Sequence, residues 1–177
     1  MEVLETELEG VLLIKPDINE DFRGDYVMTY NEKLYVMHGI GASFVEHDIS
    51  TSTKGVLRGI HYSPNCWKLN QCLYGEIYYV VVNCDEKDPE FGKWQSFILS
   101  GRNRHQLFKQ PRYGSAFLVL SDYCLFHYMQ SEYYDPCNPN QKTFKWDDPR
   151  FGIWWPKLRP PILSQRDEEG HYIGKEE

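Results

Sequence analysis

Apolar residues in this chain come in short runs bounded by turn residues, and no long segment sustains the 3.6-residue period of an amphipathic helix. Residues 11–14, 43–45, 77–82, 95–99, 116–120 and 123–129 read as strands, rich in the β-branched and aromatic side chains that suit a pleated surface. Turn residues separate them at Tyr74-Gly75, Asp88-Pro89, Phe91-Gly92 and Ser121-Asp122. Aromatics supply 15% of the chain, 13 of them tyrosines, which strengthens a β reading over a helical one. The prediction is an all-β sandwich or barrel, with the jelly roll its most economical form. Short peripheral helices are expected at residues 31–37 and in a turn or two of the C-terminal third. Residues 147–161 carry Trp154, Trp155 and four prolines, so they predict an extended segment lying over the barrel. Residues 167–177 read as a polar tail. At 177 residues with no repeat or linker, a single domain over 1–177 is expected.

Charge and cysteine usage narrow the function classes. A net charge of -7 and a pI near 5.4 argue against nucleic acid or anionic membrane as a bulk-charge partner. An anionic ligand must then meet a local cluster of Arg and Lys. No basic segment precedes an apolar run at the N-terminus, and no apolar run approaches the roughly 20 residues that cross a bilayer. A cytoplasmic chain is the expectation. The five cysteines contain no C-x-x-C pair and read as reduced thiols, most of them small core residues. Neither zinc binding nor a nucleophilic Cys66 fits them well.

The segment Gly55-Val56-Leu57-Arg58-Gly59-Ile60-His61-Tyr62, followed by Lys68, holds the strongest chemical signal. It sets a base that titrates near neutrality beside two cations, which suits removal of a proton from carbon next to a carbonyl and stabilisation of the enolate. The same residues also read as solvated strand ends and a satisfied core histidine. In the run 123–129, Cys124, Phe126 and Tyr128 share one face and Leu125, His127 and Met129 the other. If the first set faces a cavity, the Tyr128 phenol is an acid in an apolar pocket; the bland alternative is a barrel tyrosine bonded to backbone.

Several motifs recur in one order: Asp21-Phe22-Arg23-Gly24, the Gly55 to Tyr62 segment with Lys68, Gly75-Glu76-Ile77-Tyr78-Tyr79-Val80, and Pro89-Glu90-Phe91-Gly92-Lys93-Trp94. Phe126-His127-Tyr128 before Tyr133-Tyr134, Trp146-Asp147-Asp148-Pro149, Gly152-Ile153-Trp154-Trp155-Pro156 and Leu163-Ser164-Gln165-Arg166-Asp167 complete the set. With these motifs the chain resembles the dTDP-4-dehydrorhamnose 3,5-epimerase family of cupin-fold sugar nucleotide epimerases, over residues 10–167. The resemblance implies a cupin barrel in which His61 is the general base, Asp167 orients it, Tyr128 returns a proton to the opposite face, and Lys68 holds the oxyanion at C4. It implies that Arg23 and Arg58 bind the diphosphate of a nucleotide-diphospho sugar and that Tyr26 and Tyr134 stack on the base. It also implies a homodimer in which an N-terminal strand crosses over and residues near Arg23 serve the neighbouring site. No metal and no cofactor are expected: metal-binding cupins supply several His and a Glu in two clusters, whereas this chain has one His in the first and none in the second, and epimerisation beside a ketone transfers no electrons.

Departures from the family pattern bear on the substrate. Ser115 stands where the family carries a histidine, which keeps a hydrogen-bond donor but loses a titratable one; His47 is a candidate to compensate. Met28 replaces an acidic residue that reads thymine, and Glu46 and Asp48 replace a neutral pair. Carboxylates at 46 and 48 suit the N1 and N2 donors of guanine, so a GDP-linked 4-keto-6-deoxyheptose, as in bacterial capsule heptose pathways, is expected over a dTDP-linked hexose. Two other readings stand beside epimerisation: a cupin that shifts the keto group between C3 and C4, and a cupin that binds a sugar nucleotide without acting on it.

Overall fold

The computed structural model describes residues 1–135 and 137–170. In chain order its elements are β1 (Glu2–Glu5), β2 (Leu12–Lys15), β3 (Ile18–Asp21), β4 (Gly24–Val27), α1 (Glu32–Met37), β5 (Glu46–Thr53), β6 (Leu57–Tyr62) and β7 (Lys68–Tyr74). They continue with β8 (Glu76–Asn83), β9 (Trp94–Ser100), β10 (Gln106–Lys109), β11 (Tyr113–Val119), β12 (Tyr123–Gln130), β13 (Lys142–Thr143) and α2 (Gln165–Glu169). One sheet has the order β1-β2-β10-β7-β12-β5, a second β13-β6-β11-β8-β9, and β3 pairs only with β4. Neither sheet closes on itself. The fold is the all-β jelly roll expected of a cupin, with two short helices at its periphery.

Strand β8 explains how the sheets are held. Its sequence Glu-Ile-Tyr-Tyr-Val-Val-Val-Asn is a near-continuous β-branched and aromatic run, buried from Ile77 to Asn83, as a strand covered on both faces must be. Ile77, Tyr79 and Val81 point inward and join Cys72, Leu107, Cys124 and Phe126 of the opposing sheet in the core between the layers. The alternate residues Tyr78 and Val80 point outward with Leu57 and Leu118, where Trp146, Ile153, Trp155 and Leu163 cover them. Ile153 and Trp155 of that cover belong to the segment 147–161, held by Trp155 Nε1 donating to the Trp146 carbonyl at 3.0 Å and Tyr78 Oη donating to the Trp154 carbonyl at 3.0 Å.

Two expectations need correction. The run 43–45 is not a strand: Phe44 packs edge-on against Tyr30 at 5.5 Å, beside the capped start of α1, and pairing begins only at Glu46. The polar tail does not begin at 167. Ser164 Oγ accepts from the Asp167 amide at 3.2 Å and caps α2, which carries Asp167 inward until it is 2% exposed. Residues 171–177 of that expected tail lie outside the described residues. Among the described residues no helix is long and apolar enough to cross a membrane.

Lys109 is 1% exposed and lies opposite Lys68 across β10 and β7, its ammonium donating to the Tyr113 carbonyl. Burial, then the Lys68 charge, pulls it from 10.5 to about 7. From about pH 7 to beyond pH 10 the folded chain keeps this amine neutral while the unfolded chain keeps it protonated. The unfolded state therefore binds more protons in that window, and the contribution to stability rises with pH across it. A Lys109→Met variant should unfold at a higher denaturant midpoint than the parent at pH 6, by on the order of a few kcal/mol, with the difference shrinking toward pH 10. Equal midpoints at pH 6 would remove the buried-charge account.

Candidate active site

His61 reaches the gap between the sheets because β6 and β11 approach closely just before it. Gly59 has φ +118°, and a Cβ there would lie 2.6 Å from the Ala116 Cα, so only glycine permits the contact that sets His61 across from Ser115. The imidazole Nε2 is 2.7 Å from Asp167 Oδ1, supplied by α2. Burial would raise the Asp167 carboxyl, but hydrogen bonding to His61, Ser164 and the Gly59 amide holds it below the usual carboxylate range. An ionised carboxylate can only accept, so Nε2 carries the proton and Nδ1 keeps its lone pair.

Lys68 and Tyr128 come from the other sheet. Cys124 and Phe126 are buried in the core and Tyr128 follows them inward, as the strand parity predicts, so the phenol faces the cavity. Lys68 Nζ lies 5.1 Å from the centre of the Tyr128 ring. Burial pulls the Lys68 ammonium down, opposed by Cys66, Asp48 and Glu46. Burial, then the Asp48 carboxylate, pushes the Tyr128 phenol up to about 12. Packed sheets stand roughly 10 Å apart. A base on one wall thus confronts an acid and a cation on the other, across a space wide enough for a flat ring.

Two adjoining cavities share His61, Lys68 and Tyr128. One, of about 200 Å³, is also lined by Cys66, Gln130, Tyr134 and Arg166. The other, of about 150 Å³, is lined by Arg58, Asn70, Tyr79, Ser115, Phe117 and Phe126. Tyr134, Arg58 and Ser115 therefore sit where a substrate of the central residues would meet them. Arg58 is fixed by Ser52 Oγ at 3.0 Å and the Thr51 carbonyl at 3.2 Å. Arg166, to which the sequence reading gave no role, lines the first cavity and donates to Thr143 Oγ1 at 2.7 Å. Among the described residues no three His, Cys, Asp or Glu side chains converge as metal ligands.

Four expected binding residues lie elsewhere or are already engaged. Arg23 and Tyr26 belong to the β3–β4 hairpin, which joins neither large sheet; Arg23 pairs with Asp21 at 2.6 Å, and neither residue lines either of these two cavities. Glu46 accepts from Gln130 Nε2 at 2.5 Å and from the Tyr134 amide at 3.0 Å, so it anchors the loop at the cavity mouth. Asp48 lies opposite Tyr128 in the β5–β12 register, with its carboxyl raised by burial and by Glu46. Glu46 is thereby engaged within the chain, and Asp48 faces Tyr128. His47 does not replace the missing histidine: it lies against the His127 ring at 5.9 Å on the outward-facing side of the strands.

A jelly roll whose interior sets a His–Asp pair against a lysine and a tyrosine defines a cupin with an acid–base site. Residues 5–174 match the family model described as dTDP-4-dehydrorhamnose 3,5-epimerase. The Escherichia coli K12 protein of that name is 36% identical over 172 residues, covering 95% of this chain and 92% of its own. The Neisseria gonorrhoeae protein of that name is also 36% identical over 172 residues, and the chain spans 52% of that relative's length. The crystal structure of dTDP-6-deoxy-D-glucose-3,5-epimerase from Legionella pneumophila in complex with dTDP-4-keto-L-rhamnose superposes with a TM-score of 0.90 at 33% identity, covering 96% of this chain and 90% of that one. The chain belongs to the dTDP-4-dehydrorhamnose 3,5-epimerase family, a family of isomerases.

Proposed function

We propose that the protein inverts C3, C5 or both of a nucleotide-diphospho-4-keto-6-deoxy sugar. The observation that carries this reading is the confrontation of His61 and Tyr128 across the inter-sheet gap. His61 Nδ1 takes the proton from the carbon beside the C4 carbonyl, and the electron pair moves onto the carbonyl oxygen as an enolate. Lys68 holds that oxygen. Tyr128, kept protonated by its raised pKa, returns a proton to the other face, so the carbon inverts; the imidazolium then releases its proton and tyrosinate regains one from solvent. Removal from one face and return from the other is what a binding-only cupin does not need, and nothing in the cavity favours a keto shift.

The relatives' names support a dTDP-linked substrate. The GDP-linked heptose loses its argument once Glu46 is engaged by Gln130 and Asp48 by its position beside Tyr128; Met28 alone does not favour guanine. Arg58 and Tyr134 serve the substrate from within the chain, and Ser115 meets the sugar. Arg23 and Tyr26 take part only if the exposed hairpin, with Phe22 98% exposed at its tip, enters the site of a second copy, and a homodimer is proposed on that ground.

The experiment is proton NMR in D₂O with dTDP- and GDP-linked 4-keto-6-deoxy sugars, together with sedimentation of the same sample. Deuterium appearing at C3 or C5 with the dTDP sugar, and a mass near twice the 21.0 kDa chain, are the expected results. Absence of exchange with both sugars would sink the epimerase reading.

A further inference from the structure

Tyr79 lies where a core aromatic would ordinarily be apolar. It is 1% exposed, stacks on Phe126 at 5.9 Å and stands in β8 among valines, yet its hydroxyl has no hydrogen-bond partner among the described residues. Burying a hydroxyl without a partner costs free energy that a phenylalanine in the same stack would not incur. Tyr79 also lines the cavity of about 150 Å³ that has His61, Lys68 and Tyr128 at its rim, although its hydroxyl is covered in the unliganded chain. Two other polar side chains of that lobe are occupied: Arg58 by Ser52 and Thr51, Asn70 by the Leu107 carbonyl at 3.3 Å. Ser115 stands close enough to the phenol to offset part of the effect of burial on it, yet the pair does not meet the geometry of a hydrogen bond. The wall around them, Ala116, Phe117 and Phe126, offers nothing polar.

We infer that the Tyr79 hydroxyl is a sugar-recognition group, donating a hydrogen bond to a hydroxyl oxygen of the ring held among His61, Lys68 and Tyr128. The inference rests on the sugar nucleotide reading of this cavity and extends it to a residue on the strand behind the reacting groups. Burial raises the phenol, so it stays protonated and can donate at any working pH. A site that leaves a donor unsatisfied until a ligand arrives discriminates against ligands lacking the matching oxygen, because that donor then stays unpaired. The Ser115 hydroxyl, free to rotate, supplies a second contact to the same oxygen.

Calorimetric titration separates this role from a structural one. The probes are dTDP and dTDP-glucose, with GDP and GDP-mannose in parallel, against the wild-type protein and Tyr79→Phe. The variant is expected to bind the nucleotide sugar about ten-fold more weakly and the nucleoside diphosphate unchanged, since one hydrogen bond of about 1.4 kcal/mol is a factor of ten. Its unliganded melting temperature should be no lower than wild type, because an unpaired buried group has been removed. With the wild type, one monodeoxy analogue of the sugar should lose the same factor, and Tyr79→Phe should not distinguish that analogue from its parent. Equal affinities of both proteins for the nucleotide sugar, or an equal loss for the diphosphate alone, overturns the inference. Deuterium exchange judges the epimerase reading separately: sugar binding that depends on Tyr79 without exchange upholds the recognition role and overturns the reaction.

Discussion

Replacing His61 with asparagine is expected to lower deuterium incorporation at the sugar carbon by roughly two to four orders of magnitude, the range a positioned base supplies. Asparagine keeps the size and a polar end but has no lone pair basic enough to take a carbon-bound proton. The Tyr128→Phe variant should differ in kind. The base remains, so the proton at the reacting carbon can still be removed and exchanged on the His61 side, while inversion, which needs a proton from the opposite wall, falls by a similar factor. The ratio of exchange to inverted product therefore rises in Tyr128→Phe and not in His61→Asn. Integrating the substrate and product resonances in the same D₂O spectra gives that ratio. Parallel losses of exchange and inversion in Tyr128→Phe would mean that the phenol helps remove the proton and is not its donor.

Three of the four central residues carry a local signal in the sequence. His61 and Lys68 lie in or just after a glycine-punctuated strand, and the side on which Tyr128 falls follows from counting in twos from Cys124 and Phe126. Asp167 was legible only through the family resemblance, since a carboxylate 106 residues away in sequence has no local signature that ties it to His61. The reading of 167–177 as a tail shows the limit: a five-residue helix capped by Ser164 is too short to leave a periodicity. Arg23 and Tyr26 were legible as motif residues, but where a hairpin lies is a tertiary property, and within one chain it stays outside both large sheets. Glu46 and Asp48 were given to the base from charge alone; strand parity says which face a residue takes and not which neighbour it meets there, here Gln130 for Glu46 and Tyr128 opposite Asp48. Tyr79 had a signal that went unused: with Ile77 and Val81 inward, parity alone puts its phenol into the interior.

Asp167→Asn is expected to cost about as much as loss of the base itself, on the order of 10²- to 10⁴-fold, although Asp167 touches no substrate. The carboxylate fixes the proton on Nε2, 2.7 Å away, and so leaves Nδ1 as the acceptor. An asparagine that turns its NH₂ toward Nε2 donates there, moves the proton to Nδ1 and blocks the atom that must accept. The neutral amide also cannot stabilise the imidazolium formed in the reaction, so proton removal slows further. A structural role for Asp167 would lower the melting temperature while leaving the proton on Nε2. ¹⁵N spectra of the histidine ring report the tautomer directly: an unchanged Nε2–H signal in a folded Asp167→Asn protein, together with an unchanged rate, would remove Asp167 from the mechanism and leave it as a first-turn residue of α2.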